Sequence, residues 1–345
     1  MATTQFRTHP EVTGMGLGFF EESRNGYRII GHGGDLSWFH SHLSLLMDEG
    51  VGFFISVNSA GSGGGLYGIR EAVRDGFLER YFPRTTAPEP VVADAREQAR
   101  KVTGPYTLSR RGETTLGRVM SLVIPLRVEA NPDGSVQVPF VTGPNGQPIR
   151  WYAIGPLTFR NADGSERIGF VTDSSGAVSR MAFIGGHELH RVGLADNRSW
   201  NLLVIGAAVA VFLATLLLWP VAGVIRRRYG KGVPDDGSSR GLRAGTRVVS
   251  LLSLGFLIAL GLFVYLGISE TISLDRRTDP LLGAIRALGL VAALGSLVVL
   301  VACIRSWTRG TNGLARLKYT AQVVACVGFT WFIVHWNMLS WKFDY

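Results

Sequence analysis

Residues 28–59 read RIIGHGGDLSWFHSHLSLLMDEGVGFFISVNS. Short apolar runs (YRIIGH, SWFHSHLSLL, VGFFISVNS) are broken by Gly, Asp and Asn, the pattern of β-strands. Upstream, GLGFFEE predicts another strand and SRNG a turn; MDEG is a turn between the last two runs. Connections this short make neighbouring strands antiparallel. Downstream, the Gly-rich exit SAGSGGG leads into LYGIREAVRDGFLERYF. There Leu66, Ile69, Val73, Phe77, Leu78 and Tyr81 have the spacing of an amphipathic helix, which Pro83 stops. The Gly33-Gly34 pair falls at the end of the second strand. Two readings stay open for it: a tight turn, or a strand that another group approaches closely.

The stretch resembles the C-terminal part of the penicillin-recognising serine hydrolases: class C β-lactamases, D-amino-acid peptidases and related esterases. In that family three motifs build the site in chain order: Ser-x-x-Lys, Tyr-x-Asn, and Lys-Thr-Gly or His-x-Gly on a strand edging the cleft. His32-Gly33-Gly34 is similar to the third, and the likeness covers about 70 residues. The resemblance implies that His32 orients a tyrosine or the substrate and that Gly33 and Gly34 line the substrate-binding strand. It also implies that the backbone N–H of Asp35 is one oxyanion donor, a role that needs close backbone approach to the acyl group. His32 and Asp35 are therefore the candidate catalytic residues. No cofactor and no metal is expected.

The other two motifs are absent. No Ser has Lys three places on, no Tyr has Asn two places on, and the first lysine is Lys101. Ser56-Val57-Asn58 resembles the Ser-x-Asn variant of the second motif but follows His32 and reads as structural. Acyl transfer needs nucleophile, base and oxyanion donors together, so this chain by itself is expected to be inactive. The strands are apolar enough to want cover on both faces, and one helix is available. The expectation is that an upstream half is missing from this reading frame, carrying the nucleophile, its lysine and a signal sequence. The start, MATTQFRTHPEVTG, has no apolar stretch of its own.

Residues 84–102 read as a linker with Pro88 and Pro90 and a short helix over 91–101. Residues 103–195 read as a β-rich unit. Turn signals recur at 131–134, 143–146, 161–164 and 174–176, with alternating runs such as LRVEA, SVQVPFV, RIGFVT and VSRMAFIG between them. This spacing predicts a small antiparallel barrel or sandwich. GPYTLSRRGETTLGRVMSL resembles the start of the lipocalin-like accessory domain that follows some of these hydrolases.

From residue 200 the character changes. Four apolar spans are predicted over 201–225, 248–268, 281–304 and 319–339, each long enough to cross a bilayer as helix. The formal charge of +9 is confined to this half. Residues 1–199 hold 20 basic and 20 acidic side chains, whereas residues 200–345 hold 15 and 6. Basic excess in loops between apolar spans signals membrane orientation rather than nucleic-acid binding. The rule predicts a multi-pass protein with the loops 226–247 and 305–318 in the cytoplasm and residues 1–199 in the periplasm or outside. Arg286 is expected to snorkel to the interface, the Gly255–Gly261 stretch to permit close helix packing, and His335 and Asn337 to belong to an interfacial belt with Trp331, Trp336 and Trp341.

The two cysteines, Cys303 and Cys326, lie inside apolar spans, so the first 199 residues have no disulfide framework. His40 and His42 share a strand face, and His187 and His190 form a second cluster. A metal site there would need a third ligand from elsewhere. The expected fold is thus a partial β-lactamase-like α+β unit (1–83), a β barrel or sandwich (103–195) and four transmembrane helices (200–345). The implied activity is amide or ester acyl transfer, completed by the missing catalytic half as partner. The competing reading is a non-enzymatic membrane protein whose β-domain binds an envelope component. Under both the chain sits in a lipid bilayer and binds no nucleic acid.

Overall fold

In the computed structural model, the structure describes residues 1–36, 38–59, 61, 65–143, 146–183, 186–230, 240–269, 271–272, 275–309 and 311–342. The chain forms two compact units: Met1–Arg110 with Ile124–Gly193, and Arg111–Val123 with Leu194–Tyr345. The predicted 1–83 and 103–195 blocks thus share one unit, and residues 111–123 group with the helices.

The first unit opens with a four-stranded antiparallel sheet in sequence order: β1 (Phe20–Glu21), β2 (Ile29–Asp35), β3 (His40–Leu46) and β4 (Val51–Val57). Asn25 and Gly26 both take positive φ, 58° and 91°, in the turn before β2, as a two-residue hairpin turn requires. β2 pairs with β3 residue for residue, from Ile29 opposite Leu46 to Asp35 opposite His40. Gly33 and Gly34 lie inside this ladder, so the tight-turn reading is corrected. The chain reverses later, where Leu36 N–H donates to Phe39 O at 2.8 Å.

Strand alternation sorts the sheet into two faces. Ile29, Leu46 and Val51 face the helix α1 (Gly65–Tyr81), packing with Phe77 and Leu78. Phe53 stacks on Phe77 at 4.8 Å. The opposite face carries His32, Leu43, Leu45 and Phe54, and Phe54 is 63% exposed. Leu36, Trp38 and Phe39 at the β2–β3 tip are exposed as well.

Eight strands then close into an antiparallel barrel: β5 (Gly104–Leu108), β6 (Leu126–Ala130), β7 (Val136–Thr142), β8 (Pro148–Gly155), β9 (Thr158–Arg160), β10 (Arg167–Thr172), β11 (Val178–Phe183) and β12 (His187–Arg191). The expectation of a barrel or sandwich resolves to the barrel. Three turns repeat one device. Asp133, Asp163 and Asp173 accept the N–H of Ser135, Ser165 and Ser175, and Gly134, Gly164 and Gly176 follow with positive φ. An Asp side chain mimicking the backbone, then a residue free of Cβ, is the chemistry such turns select. In the predicted turn at 143–146, residues 144 and 145 lie outside the described residues. The same holds for parts of the exits at 59–65, 226–247 and 269–280, and for 343–345 of the tail.

Trp151, Phe159, Ile168, Phe170 and Met181 fill the barrel core, joined by Ala95, Ala99 and Val102 of α2 (Ala95–Val102). The short predicted helix exists and serves as part of the barrel's filling. Tyr106 O–H donates to Val102 O at 2.8 Å, and burial pushes its pKa up to about 12, which keeps it a donor.

In the second unit, a 3-10 turn (Leu116–Val119) and α3 (Met120–Val123) precede the four long helices: α4 (Arg198–Arg228), α5 (Arg240–Ile268), α6 (Asp279–Thr308) and α7 (Gly313–His335). All four are long and apolar enough to cross a membrane. Asn197 and Asn312 cap α4 and α7 by accepting the N–H groups of Ser199 and Ala315. The helices meet edge to face through Phe212, Phe256 and Phe329. A Cβ at Gly289 would lie 2.6 Å from the Phe256 ring, and one at Gly295 2.8 Å from Val249. Close packing of α5 on α6 therefore depends on these glycines. The expected Gly255–Gly261 stretch is roomier: Gly255 approaches only Leu288, at 3.9 Å, and Gly261 nothing within 4 Å. Arg286 is 1% exposed, so it is buried in the bundle rather than snorkelled.

Trp151 is fully buried and its Nε1 has no hydrogen-bond partner. Trp151→Ala is expected to destabilise the barrel by about 3–5 kcal/mol. Trp151→Phe should cost clearly less, since only volume is lost. Thermal unfolding of the detergent-solubilised chain checks both.

Candidate functional site

The candidate residues all come from β2. Alternation splits them: His32 and Gly34 point to the open face, Gly33 and Asp35 to the α1 face. His32 Nδ1 lies 2.7 Å from Gly18 O, and its ring stacks on Phe20 with centroids 5.2 Å apart. The imidazole is exposed but oriented. The Asp35 carboxylate is occupied: His40 Nδ1 lies 2.8 Å from its Oδ1, and Arg70 donates to the same oxygen at 2.9 Å. Any catalytic part for Asp35 is therefore left to its backbone. None of Gly31, Gly33 and Gly34 has positive φ.

The more constrained glycine is Gly31, which the sequence reading passed over. A Cβ there would meet the Glu22 carboxylate and come within 2.8 Å of Leu43 O. Its absence lets the Glu22 side chain cross the strand to His42, with Oε2 and Nε2 2.9 Å apart. His42 is 5% exposed. His40 and His42 do share a face, yet each is engaged by a different carboxylate. Among the described residues no three His, Cys, Asp or Glu side chains gather as a metal site. In the second cluster, His190 pairs with Glu188 at 3.1 Å, and Glu188 also accepts from Thr8 O–H.

A cleft of about 1340 Å³ runs past these groups, lined by Glu22, His32, Gly33, Asp35, His42, Ser44, Arg70 and Glu71 among others. Its charges are paired across elements. Arg74 of α1 holds Glu71 at 2.6 Å and Asp75 at 3.0 Å; Arg24 holds Asp75 at 2.9 Å and Glu166 at 3.6 Å. Burial raises the Glu166 carboxyl above its ordinary value, with Arg24 and Arg74 offsetting part of the rise. Burial would raise Glu21 too, but the Gly14 N–H and Arg7 outweigh it and hold it low. The Ser44 hydroxyl is buried without a hydrogen-bond partner. Ser56 lies on the exposed end of β4, opposite Ser41.

A second polar cluster lies at the end of the helical bundle where α7 terminates. Asp196 Oδ1 accepts from Arg118 at 2.9 Å and lies 2.7 Å from His335 Nε2. Arg118 also donates to His335 O at 2.9 Å. The His335 ring stacks on Trp331, and the Trp336 Nε1–H donates to the buried Asn201 at 2.7 Å. Asn337 Nδ2 donates to Glu113 O at 2.7 Å. His335 and Asn337 thus act as clasps for residues 111–123, whose Leu116 and Val119 enter the bundle core. Burial would raise the Asp196 carboxyl; the His335 hydrogen bond and the Arg118 and Arg111 charges outweigh it and hold it below its ordinary value.

No protein-family model matches the chain, and no curated protein matches it. Solved structures match weakly. SurE with D-Leu is 18% identical, covering 53% of this chain and 39% of that chain, with a TM-score of 0.28. SurE is 19% identical over 56% and 41%, with a TM-score of 0.28. The octameric penicillin-binding protein homologue from Pyrococcus abyssi is 16% identical over 55% and 40%, with a TM-score of 0.20. The chain spans about two fifths of the length of these structures. TM-scores this low define no shared fold.

Glu22→Ala should lower the stability of the first unit by about 1–3 kcal/mol, because His42 loses its partner while buried. The Glu22→Ala/His42→Ala pair should cost less than the sum of the single changes in the same melting experiment. For the second cluster, a carboxylate with a depressed pKa contributes stability above its unfolded pKa and loses it as pH falls through the folded one. The deficit of Asp196→Asn against wild type should be full at neutral pH and close on acidification below the ordinary carboxylate range, read as Tm against pH.

Proposed function

We propose that residues 1–83 are the C-terminal part of a serine hydrolase of the β-lactamase-related family, held at a membrane by the four helices. The observation that supports this is the split of the sheet. His32, from the motif resembling the family's third, stands on the face that α1 does not cover, beside exposed Phe54 and half-buried Leu43 and Leu45. A nucleophile-bearing domain seated on that face would cover it and bring its serine to the Gly33-Gly34 edge.

In this reading the serine and lysine come from a polypeptide segment outside these 345 residues. The serine oxygen attacks an amide or ester carbonyl and the lysine takes its proton. The oxyanion is stabilised by backbone N–H groups, that of Asp35 among them. The leaving amine or alcohol takes the proton back, and water then frees the acyl group from the serine. His32 orients the substrate or a tyrosine of the missing half. Residues 1–199 face the periplasm or exterior and the loops 226–247 and 305–318 face the cytoplasm, a reading that rests on the charge bias of those loops.

Labelling with a fluorophosphonate or a fluorescent penicillin tests the proposal. The chain alone should take no label. Co-expression with a Ser-x-x-Lys-bearing domain encoded upstream should restore it, and His32→Ala should then slow labelling roughly a hundredfold. Label on the chain alone, or none with the added domain, would sink the reading and favour a non-enzymatic envelope protein.

A further inference from the structure

His187 opens β12, which runs antiparallel to β5 with Leu189 opposite Leu108 and His190 opposite Thr107. The ladder continues past the end of β5, where the Ser109 N–H donates to Glu188 O at 3.0 Å. In that register Arg110 stands opposite His187. Facing residues of an antiparallel pair hold their Cβ atoms about 4.5–5.5 Å apart. Both side chains line the cleft of about 1340 Å³, at its barrel wall.

Neither side chain is engaged within the protein. Arg110 is exposed and His187 half-buried, and among the described residues neither side chain has a hydrogen bond or an ion pair. None of the first unit's residues outside the described set is acidic. Other cations of the cleft are held: Arg24, Arg74 and Arg167 pair with carboxylates, and Arg28 donates to Ala2 O. Burial lowers the His187 pKa and the Arg110 charge lowers it further, so the imidazole is neutral at pH 7. The pair thus presents one positive charge and one neutral ring N–H. A carboxylate matches this: its two oxygens suit the guanidinium fork, and its single charge balances the single cation. A doubly charged phosphate would keep one charge unbalanced.

The surroundings of the pair are aromatic and apolar. The Phe20 ring centre lies 5.2 Å from that of His187, with the planes tilted by 35°, and 5.2 Å from that of His32 on its stacked face. Phe183 stands opposite His187 on β11, and Phe183 and Met15 line the same cleft.

We propose that Arg110 and His187 form a binding site for a small monocarboxylate, its carboxylate held by the guanidinium and the imidazole and its apolar body lying against Phe20. The inference is independent of the hydrolase reading, since it uses neither the Asp35 backbone nor a nucleophile from another segment.

Peptide-resolved mass spectrometry of the detergent-solubilised full chain tests the site, with diethyl pyrocarbonate as the histidine reagent and phenylacetate as the probe. Phenylacetate should slow modification of His187 in a saturable way and leave His190, on the same strand, at its own rate. Phenylacetamide, the same body without the charge, should protect neither. Arg110→Gln should raise the phenylacetate concentration for half-protection of His187 roughly tenfold or more, as expected when a charged hydrogen-bond donor is lost. In the wild-type chain, phenylglyoxal labelling of Arg110 should slow over the same phenylacetate range. Equal protection by phenylacetamide would overturn the proposal, as would equal slowing at His190. An Arg110 that labels at the same rate with and without phenylacetate would overturn it too, as would an Arg110→Gln chain protected at the wild-type concentration.

Discussion

The residue-for-residue pairing of Ile29–Asp35 with His40–Leu46 is the constraint on which the first sheet rests. Side chains alternate with a period of two, so this register decides which residues α1 covers and which it leaves open. A slip by one residue would move Leu46 and Ile29 out of their contact with Leu78 and send His42 away from Glu22. The register also places His32 on the open face and Asp35 on the covered one. That separation is why the Asp35 side chain serves the ion-pair network with His40 and Arg70.

The barrel obeys a different economy. Its strands are short, and what keeps them in step is a set of turns with one chemistry: an Asp oxygen receiving a backbone N–H two residues on, with a glycine in the left-handed region within the turn. Its interior is filled by Trp151, Phe159 and α2.

The helical bundle concentrates its polar interactions at its ends. At one end Asp196 draws together Arg118, Arg111 and His335, groups far apart in sequence. At the other, Arg247 rests on the Trp219 ring and Arg316 on the Trp307 ring. Between them lie edge-to-face phenylalanines and close glycine contacts, as expected where apolar burial gives helices little reason to associate in lipid.

Much was legible in the sequence because it rests on local periodicity. Four apolar spans, the strand alternation of 28–59, the amphipathic helix ended before Pro83, and the Asp-Gly and Asn-Gly turns each follow from a few neighbouring residues and the geometry of one element. What only the tertiary structure decided depends on partners distant in the chain. Gly31 matters because Glu22 crosses it; Gly289 and Gly295, rather than Gly255–Gly261, face neighbouring side chains closely. Arg286 is buried because its helix turns it inward, and residues 111–123 leave the barrel sequence to join the bundle because Leu116 and Val119 find apolar cover there. Periodicity states which face is apolar. It does not state what that face meets, since this is fixed by the packing of elements whose separation along the chain leaves no local trace.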